Sequence, residues 1–332
     1  MIVSRVRHGD THTPHSSSRR REAVVPDHAL LVFGFIPPDL RATLSERFAL
    51  VELDRARAAP WTGFDIAVTT GIVGAGRREF DLCPDLRLVV SQGIGLETFD
   101  LAEARRRGIA VAHTPDEIAE DVGDAAIAMI YAVLRGTLRA DAFVRAGRWG
   151  KERIAATRRV AGRTVGIVGL GRIGRHVADR ATAIGMRVLY HTRRRAEAPY
   201  EWMADVVTLA TRSDVLVLAC PGGEATRHLV DATVLDALGP DGVLVNVARG
   251  SVVDEAALLD ALEGGRIHGA ALDVFATEPA IDPRFLALDN VVLSPHSASI
   301  TRETRAAIIA RMIDDIDAYR NGRPFFDAAA AP

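Results

Sequence analysis

Cysteine is nearly missing from this chain of 332 residues, and the scarcity has a consequence. Cys83 and Cys220 make neither a disulfide framework nor a spacing suited to zinc. A reducing, cytoplasmic setting is therefore expected, with both thiols read as small buried apolar groups. No apolar run approaches the ~20 residues of a bilayer span, so a membrane partner is not expected. Charge of one sign is lacking too: 41 Lys and Arg face 43 Asp and Glu, a formal net charge of −2. So balanced a chain argues against nucleic acid or an anionic membrane as main partner, and its local basic patches suit small anions. What is plentiful is apolar residues, 48% of the total, in a chain long enough for two domains with separate cores.

Hydrophobic periodicity is absent from residues 1–25, where His8, His12 and His15 lie among Ser16–Ser18 and Arg19–Arg21. The expectation is a disordered extension. It has no apolar core for a secretory signal and no amphipathic stripe for a transit peptide. Without acids around the three histidines no metal site is expected. From Ala29 onward, strands and helices alternate. Strands are expected at Leu30–Phe35, Leu50–Leu53, Ile66–Thr69, Leu88–Ser91 and Ile109–Ala112, with a helix that Pro37-Pro38 starts and that runs through Arg41 to Phe48. Asp121–Arg139 is Ala-rich and reads as one continuous helix crossing between domains. The strand pattern restarts after Thr164 and continues at Val215–Ala219, Val243–Val247, His268–Ala271 and Val291–Leu293. Thr301–Arg320, with Ile308, Met312, Ile316 and Tyr319 in helical register, reads as a closing helix. Such alternation predicts an α/β fold of doubly wound, mostly parallel sheets.

One run carries a binding function in order. Val165–Val168 is short and apolar, as a buried parallel strand should be, and Gly169-Leu170-Gly171-Arg172-Ile173-Gly174 follows it directly. In this spacing the first glycine permits the tight turn, the second lets backbone amides approach a pyrophosphate, and the third packs the helix against the sheet. The anion then rests on the helix N-terminus. Ile173, Val177, Ala181 and Ile184 form one apolar helical face, Gly185 ends it, and Met186–Tyr190 reads as the next strand. After that strand an NAD site usually carries an acid for the ribose 2′-hydroxyl; this chain has His191-Thr192-Arg193-Arg194-Arg195. Guanidinium forks suit a 2′-phosphate, so NADP is favoured, with NAD left open and a solvated basic turn as the bland alternative.

Past this turn, three strands end in ionisable residues: Arg249 after Val243–Val247, Asp273 and Glu278 after Ala271, and His296 after Val291–Leu293. In open α/β sheets that edge is where ligands bind. The set suits reduction of a 2-keto acid. Arg249 can fork to a carboxylate and polarise the adjacent carbonyl, His296 can protonate its oxygen, and Glu278 can hold the imidazole in its protonated form.

The stretches VGIVGLGRIGR, LVNVARGSVVDEAALLDAL, GAALDVFATEP, SPHSAS and SQGIGLETFDLAEARRRGIAVAHTPDEIAEDVGDAA give the chain a close resemblance, over about residues 29–322, to the D-isomer-specific 2-hydroxyacid dehydrogenases. The resemblance implies a flavodoxin-like substrate domain built from both chain ends (26–122 and 302–332), a Rossmann cofactor domain (123–301) and a homodimer formed largely through the latter. It implies catalytic roles for Arg249, Glu278 and His296 and a contact from Asp273 near the nicotinamide carboxamide. Further cofactor contacts are implied at Thr192, Arg193, Arg194, Cys220, Pro221, Thr226, Val247, Ala248 and Ser297, and substrate contacts at Gly71, Gly93, Ile94 and Gly95. Within the family, the Arg-rich turn and TPDEIAEDVGDAA look most like the NADP-linked glyoxylate, hydroxypyruvate, hydroxyphenylpyruvate and 2-ketogluconate reductases. Ser297-Ala298 after His296 and Glu97-Thr98 depart from the usual pattern, which leaves the keto acid open. An NAD-linked phosphoglycerate-type dehydrogenase and a non-catalytic dinucleotide sensor are the alternatives; the Arg turn disfavours the first and the complete Arg, Glu and His set the second. Trp149 is expected to close a substrate pocket, its own or the partner subunit's, or else to anchor the dimer contact.

Overall fold

The computed structural model describes residues 28–54, 56 and 60–329. The expected extension at 1–25 thus lies outside the described residues. In the first half, short apolar runs become β1 (Ala29–Val32), β2 (Ala49–Glu52), β3 (Ile66–Thr70), β4 (Leu88–Gln92) and β5 (Ala110–His113). Between them lie α1 (Pro38–Ser45), α2 (Arg77–Leu82) and α3 (Leu101–Arg107). The strands form one parallel sheet in the order β2-β1-β3-β4-β5, the flavodoxin-like arrangement. Strands buried on both faces need continuous apolar sequence, and Leu30, Leu31, Val32, Val89 and Val90 are fully buried accordingly.

The second half carries α4 (Ala119–Leu134), α5 (Thr137–Arg145), β6 (Thr164–Val168), α6 (Arg172–Ala183), β7 (Arg187–His191), β8 (Glu201–Met203), α7 (Val206–Thr211), β9 (Val215–Leu218), α8 (Ala232–Leu238), β10 (Val243–Asn246), α9 (Glu255–Glu263), β11 (Gly269–Leu272) and β12 (Val291–Leu293). Its strands are all parallel, ordered β12-β11-β10-β9-β6-β7-β8. The order reverses between β6 and β9, which places a switch-point crevice at their carboxyl ends. The last helix, α10 (Arg302–Arg320), returns to the first sheet, where Ile308, Met312 and Ile316 share a core with Val32, Leu88 and Val90. Both chain ends therefore build the first domain. Among the described residues no helix is long and apolar enough to cross a membrane.

Three expectations are corrected. The strand expected at Leu30–Phe35 stops at Val32; Phe33 keeps one bond to the Val68 carbonyl at 3.0 Å, and Phe35 is turned out, 70% exposed. The continuous helix expected over Asp121–Arg139 is two helices, because Gly136 adopts φ +56°, a left-handed conformation that breaks the turn. β8 was not foreseen: with three residues at the sheet edge it has too little sequence to show a period.

The chain passes between the sheets before α4 and before α10, and Asp121 ties the two passages. Its Oδ2 accepts from the hydroxyls of both Thr301 and Thr304. Thr301 also caps α10, accepting from the Thr304 N–H at 3.0 Å. Asp121→Ala strands the Thr301 hydroxyl and leaves that of Thr304 with the Glu117 carbonyl at 3.3 Å, and we expect a stability loss of about 1–3 kcal/mol, seen as a thermal midpoint lower by a few degrees, with Asp121→Asn closer to wild type. An unchanged midpoint in Asp121→Ala would show that the tie carries no stability.

Candidate active site

The carboxyl edges of the two sheets face a cleft of about 1310 Å³. Its walls include Gly169, Leu170, Gly171, Arg172, Ile173, Thr192, Arg193, Arg194, Cys220, Pro221, Thr226, Val247, Ala248 and Arg249 from the second sheet, and Ile94, Leu96 and Glu97 from the first. Most of the residues expected to hold a cofactor thus share one surface. Gly174 lies beneath it: a Cβ there would sit 2.0 Å from the Gly169 carbonyl oxygen, and one on Gly169 would sit 2.7 Å from the Cys220 Cα. A Cβ on Gly171, in contrast, would meet nothing within 4 Å. Two glycines therefore serve close packing, while the third faces open space at the start of α6. No side chain caps that helix, so its first N–H groups are left to an anion. The residues present fit a dinucleotide pyrophosphate.

At the end of β7, Thr192 donates to the Arg194 carbonyl at 2.6 Å. Trp202 Nε1 donates to the Thr192 carbonyl at 3.1 Å, and the Tyr190 hydroxyl to the Ala196 carbonyl at 2.8 Å. Trp202 belongs to β8, so the strand that sequence reasoning missed is a support for the arginine turn. Arg193, Arg194 and Arg195 are exposed, and none forms an ion pair among the described residues. Arg195 is not part of the cleft wall.

Arg249 follows β10 on a turn shaped by Asn246, buried at 1% exposure, whose side chain accepts from the Ala248 N–H at 3.0 Å and donates to the Arg249 carbonyl at 3.0 Å. Of the guanidinium, Nη1 donates to the Ala248 carbonyl at 2.7 Å, and Nε lies 3.3 Å from Glu97 Oε1. His296 and Glu278 are brought together, Nδ1 to Oε2 at 2.8 Å. The other oxygen of Glu278 accepts from the Phe275 N–H at 2.9 Å. Burial works to raise the Glu278 carboxyl, but the hydrogen bonds from His296 and Phe275 and the charges of His296 and Arg249 outweigh it and hold the pKa below the ordinary value. Arg249 is thus within electrostatic reach of the pair. Glu255 shows the opposite balance: burial and the neighbouring acids Asp282 and Glu278 raise it despite a 2.5 Å bond from the Ala276 N–H.

Asp273 is buried and is not part of the cleft wall. Its carboxylate accepts from the Ser294 hydroxyl at 2.5 Å and from the N–H groups of Ser297 at 2.8 Å and Ala298 at 3.0 Å. Its carbonyl accepts from the His296 N–H at 2.8 Å, on a histidine held at φ +52°. The side chain expected near the nicotinamide carboxamide here shapes the loop that presents His296, Ser297 included. Among the substrate candidates, the Gly93 N–H goes to the Thr114 hydroxyl at 2.8 Å and the Gly71 N–H to the Gln92 carbonyl at 3.0 Å. The amides of Ile94 and Gly95 have no partner among the described residues, and Gly95 lies against Arg249 Nη2, 2.6 Å from where its Cβ would be. Free N–H donors and a guanidinium therefore meet at one point. Burial pushes Cys220 up to about 11 and, with the charge of Glu79, Cys83 up to about 12, so both remain neutral thiols and neither is a nucleophile.

Comparison with known proteins agrees with this geometry. Residues 127–298 match the NAD binding domain of the D-isomer specific 2-hydroxyacid dehydrogenases. The chain is 45% identical over 252 residues to the 2-ketogluconate reductase of Gluconobacter oxydans, covering 76% of this chain and 81% of that protein. It is 43% identical over 251 residues to a glyoxylate/hydroxypyruvate reductase A of Arabidopsis thaliana, with 75% and 80% covered. Among solved structures, the NADPH-dependent glyoxylate/hydroxypyruvate reductase of Sinorhizobium meliloti in complex with NADP and malonate superimposes with a TM-score of 0.81 at 39% identity, over 88% of this chain and 93% of that one. With two parallel-sheet domains, a nicotinamide dinucleotide fold and relatives that are named reductases, the chain belongs to the D-isomer-specific 2-hydroxyacid dehydrogenases and is an oxidoreductase of that family.

Proposed function

We propose that the protein reduces a small 2-keto acid of the glyoxylate or hydroxypyruvate kind to its D-2-hydroxy acid, with NADPH preferred over NADH. The observation that carries the reading is the 2.8 Å pair of His296 and Glu278, which leaves the same sheet edge as Arg249 and the phosphate turn although neither residue is part of the cleft wall. The bound nicotinamide supplies the hydride that reaches the carbonyl carbon. Arg249 Nη2, with the amides of Ile94 and Gly95, binds the substrate carboxylate and draws electron density from the neighbouring carbonyl. His296 gives its Nδ1–H to Glu278, which leaves Nε2 to pass a proton to the carbonyl oxygen. Glu278 stays ionised because its pKa is held down, and so remains an acceptor for the His296 Nδ1–H.

This assignment has a sign. Reduction needs the imidazolium, so its rate falls as pH rises, and oxidation shows the opposite limb. Glu278→Gln removes the charged acceptor of the His296 Nδ1–H and is expected to lower reductive turnover about tenfold or more while dinucleotide binding persists. His296→Gln keeps dinucleotide binding and loses about 10²–10⁴-fold in turnover. pH–rate profiles under saturating NADPH and dinucleotide affinities test both; a reductive rate that does not fall with rising pH, or near wild-type reduction by either variant, rejects the assignment.

The preference for NADPH rests on Arg193 and Arg194, which line the cleft without a carboxylate partner. The double variant Arg193→Ala with Arg194→Ala loses charged hydrogen bonds worth about 1.5–3 kcal/mol to a 2′-phosphate. Its Michaelis constant is expected to rise for NADPH far more than for NADH. Equal rises for both cofactors would contradict the role.

The homodimer belongs to the same reading. Leu138, Val144, Trp149 and Ile154 are all at least half exposed on α5 and the segment after it, and Trp149, 79% exposed, is not part of its own subunit's cleft wall. An aromatic so placed fits a contact with a second copy. Trp149→Ala is expected to weaken self-association at least about tenfold in sedimentation velocity. A wild-type monomer, or an unaffected dimer, would remove Trp149 from that role.

A further inference from the structure

The structure places Glu97 against Arg249, the arginine proposed to bind the substrate carboxylate. It sits on the loop after β4, in the first domain, yet its Oε1 lies 3.3 Å from Nε of Arg249 at the edge of the second. Both residues line the cleft, each partly exposed. Two glycines make room for the carboxylate. A Cβ on Gly95 would come 2.8 Å from Glu97 Oε2, and one on Gly222 would come 3.2 Å from Oε1. Among the described residues Arg249 is the one cation paired with Glu97. Arg249 Nη1 is spent on the Ala248 carbonyl, and Nη2 faces Gly95. A bound substrate carboxylate at Nη2 and the Ile94 and Gly95 amides would therefore have Glu97 as its neighbour, on the adjoining edge of the same guanidinium.

Resting on the reductase reading above, we infer that Glu97 sets the chemical class of the group the keto acid carries beyond its carbonyl. On the cleft wall Arg249 is paired with Glu97; Glu278 and its partner His296 lie outside that wall, with Glu278 within reach of the Arg249 charge. One substrate carboxylate is matched by Arg249. A second would meet Glu97, and Ile94 and Leu96 on the same wall offer it no charge. A hydroxyl on the carbon next to the keto group is a donor, and an ionised carboxylate can only accept. Glu97 thus selects hydroxyl-bearing monocarboxylates such as hydroxypyruvate and rejects dicarboxylates such as oxaloacetate.

The test compares substrates on one enzyme, so that a general loss of activity cancels. kcat/KM is measured with saturating NADPH for glyoxylate, hydroxypyruvate and oxaloacetate, in wild type, Glu97→Gln and Glu97→Leu. The oxaloacetate-to-hydroxypyruvate ratio is expected to rise at least about tenfold in both variants, more in Glu97→Leu because Gln retains an acceptor oxygen. Glyoxylate, which has no further carbon, serves as the reference. An unchanged ratio, including an equal fall for all three substrates, overturns the inference and leaves the reductase reading standing. Failure of the wild type to reduce any of the three overturns that reading itself, and the inference with it.

Discussion

Everything at the reacting end depends on three neighbouring strand ends being locked to one another at backbone distance. β10, β11 and β12 are adjacent and parallel, so Arg249, Glu278 and His296 leave the sheet on one edge. Adjacency alone would leave three independent loops. The lock between the first two is Gly250, where a Cβ would stand 1.9 Å from the Phe275 carbonyl carbon; no other residue lets the chains pass so closely. Glu255 adds a carboxylate bond to the Ala276 N–H, and Glu278 turns back onto the Phe275 N–H. Asp273 locks the third loop, binding Ser294, Ser297 and Ala298 through its side chain and His296 through its carbonyl. A buried carboxylate with both oxygens bonded, as in Asp273, makes a rigid support, because every alternative leaves an unpaired charge or an unpaired N–H group.

The charges along the cleft follow the same division. At the ribose end, Arg193 and Arg194 carry no counter-charge, so the protein leaves the neutralising partner to a ligand. At the reacting end, each charge has a partner: Arg249 with Glu97, His296 with Glu278. A ligand that binds through net charge is thereby drawn to one end and oriented by pairwise geometry at the other. This suits a long polyanionic dinucleotide next to a small monoanion.

How much of this was legible in the sequence depended on the range of the contact involved. The phosphate turn was readable because strand, glycines and helix are consecutive, and each glycine's job is set by residues a few positions away. The placement of Arg249, Glu278 and His296 was readable for a different reason: in a parallel sheet every strand's carboxyl end falls on one edge, so three unrelated segments ending in Arg, Glu and His leave it there. What escaped depended on contacts between segments far apart. Nothing local marks Trp202 as a brace for the arginine turn, since β8 is three residues long. Nothing near Asn246 shows that its amide folds the Arg249 turn, and the Glu97–Arg249 contact exists only once two domains are placed face to face. The break at Gly136 was a local signal overruled by the Ala-rich sequence around it.

The ties between the domains fall into two kinds, and the difference bears on how the cleft works. Where the chain crosses, Asp121 is bonded to Thr301 and Thr304, and Thr304 is buried. At the cleft mouth the ties are ion pairs, Arg172 with Asp116 and Arg249 with Glu97, and all four side chains are partly or largely exposed. Exposed pairs contribute about 0–1 kcal/mol each, so opening the mouth costs little while the crossing stays fixed. Moreover, Arg172 belongs to the phosphate turn and Arg249 to the substrate site. The same cations that hold the empty cleft together are those a bound dinucleotide and keto acid would engage. On the proposed function, ligand binding would exchange protein–protein ion pairs for protein–ligand ones while the Asp121 tie at the crossing is left untouched.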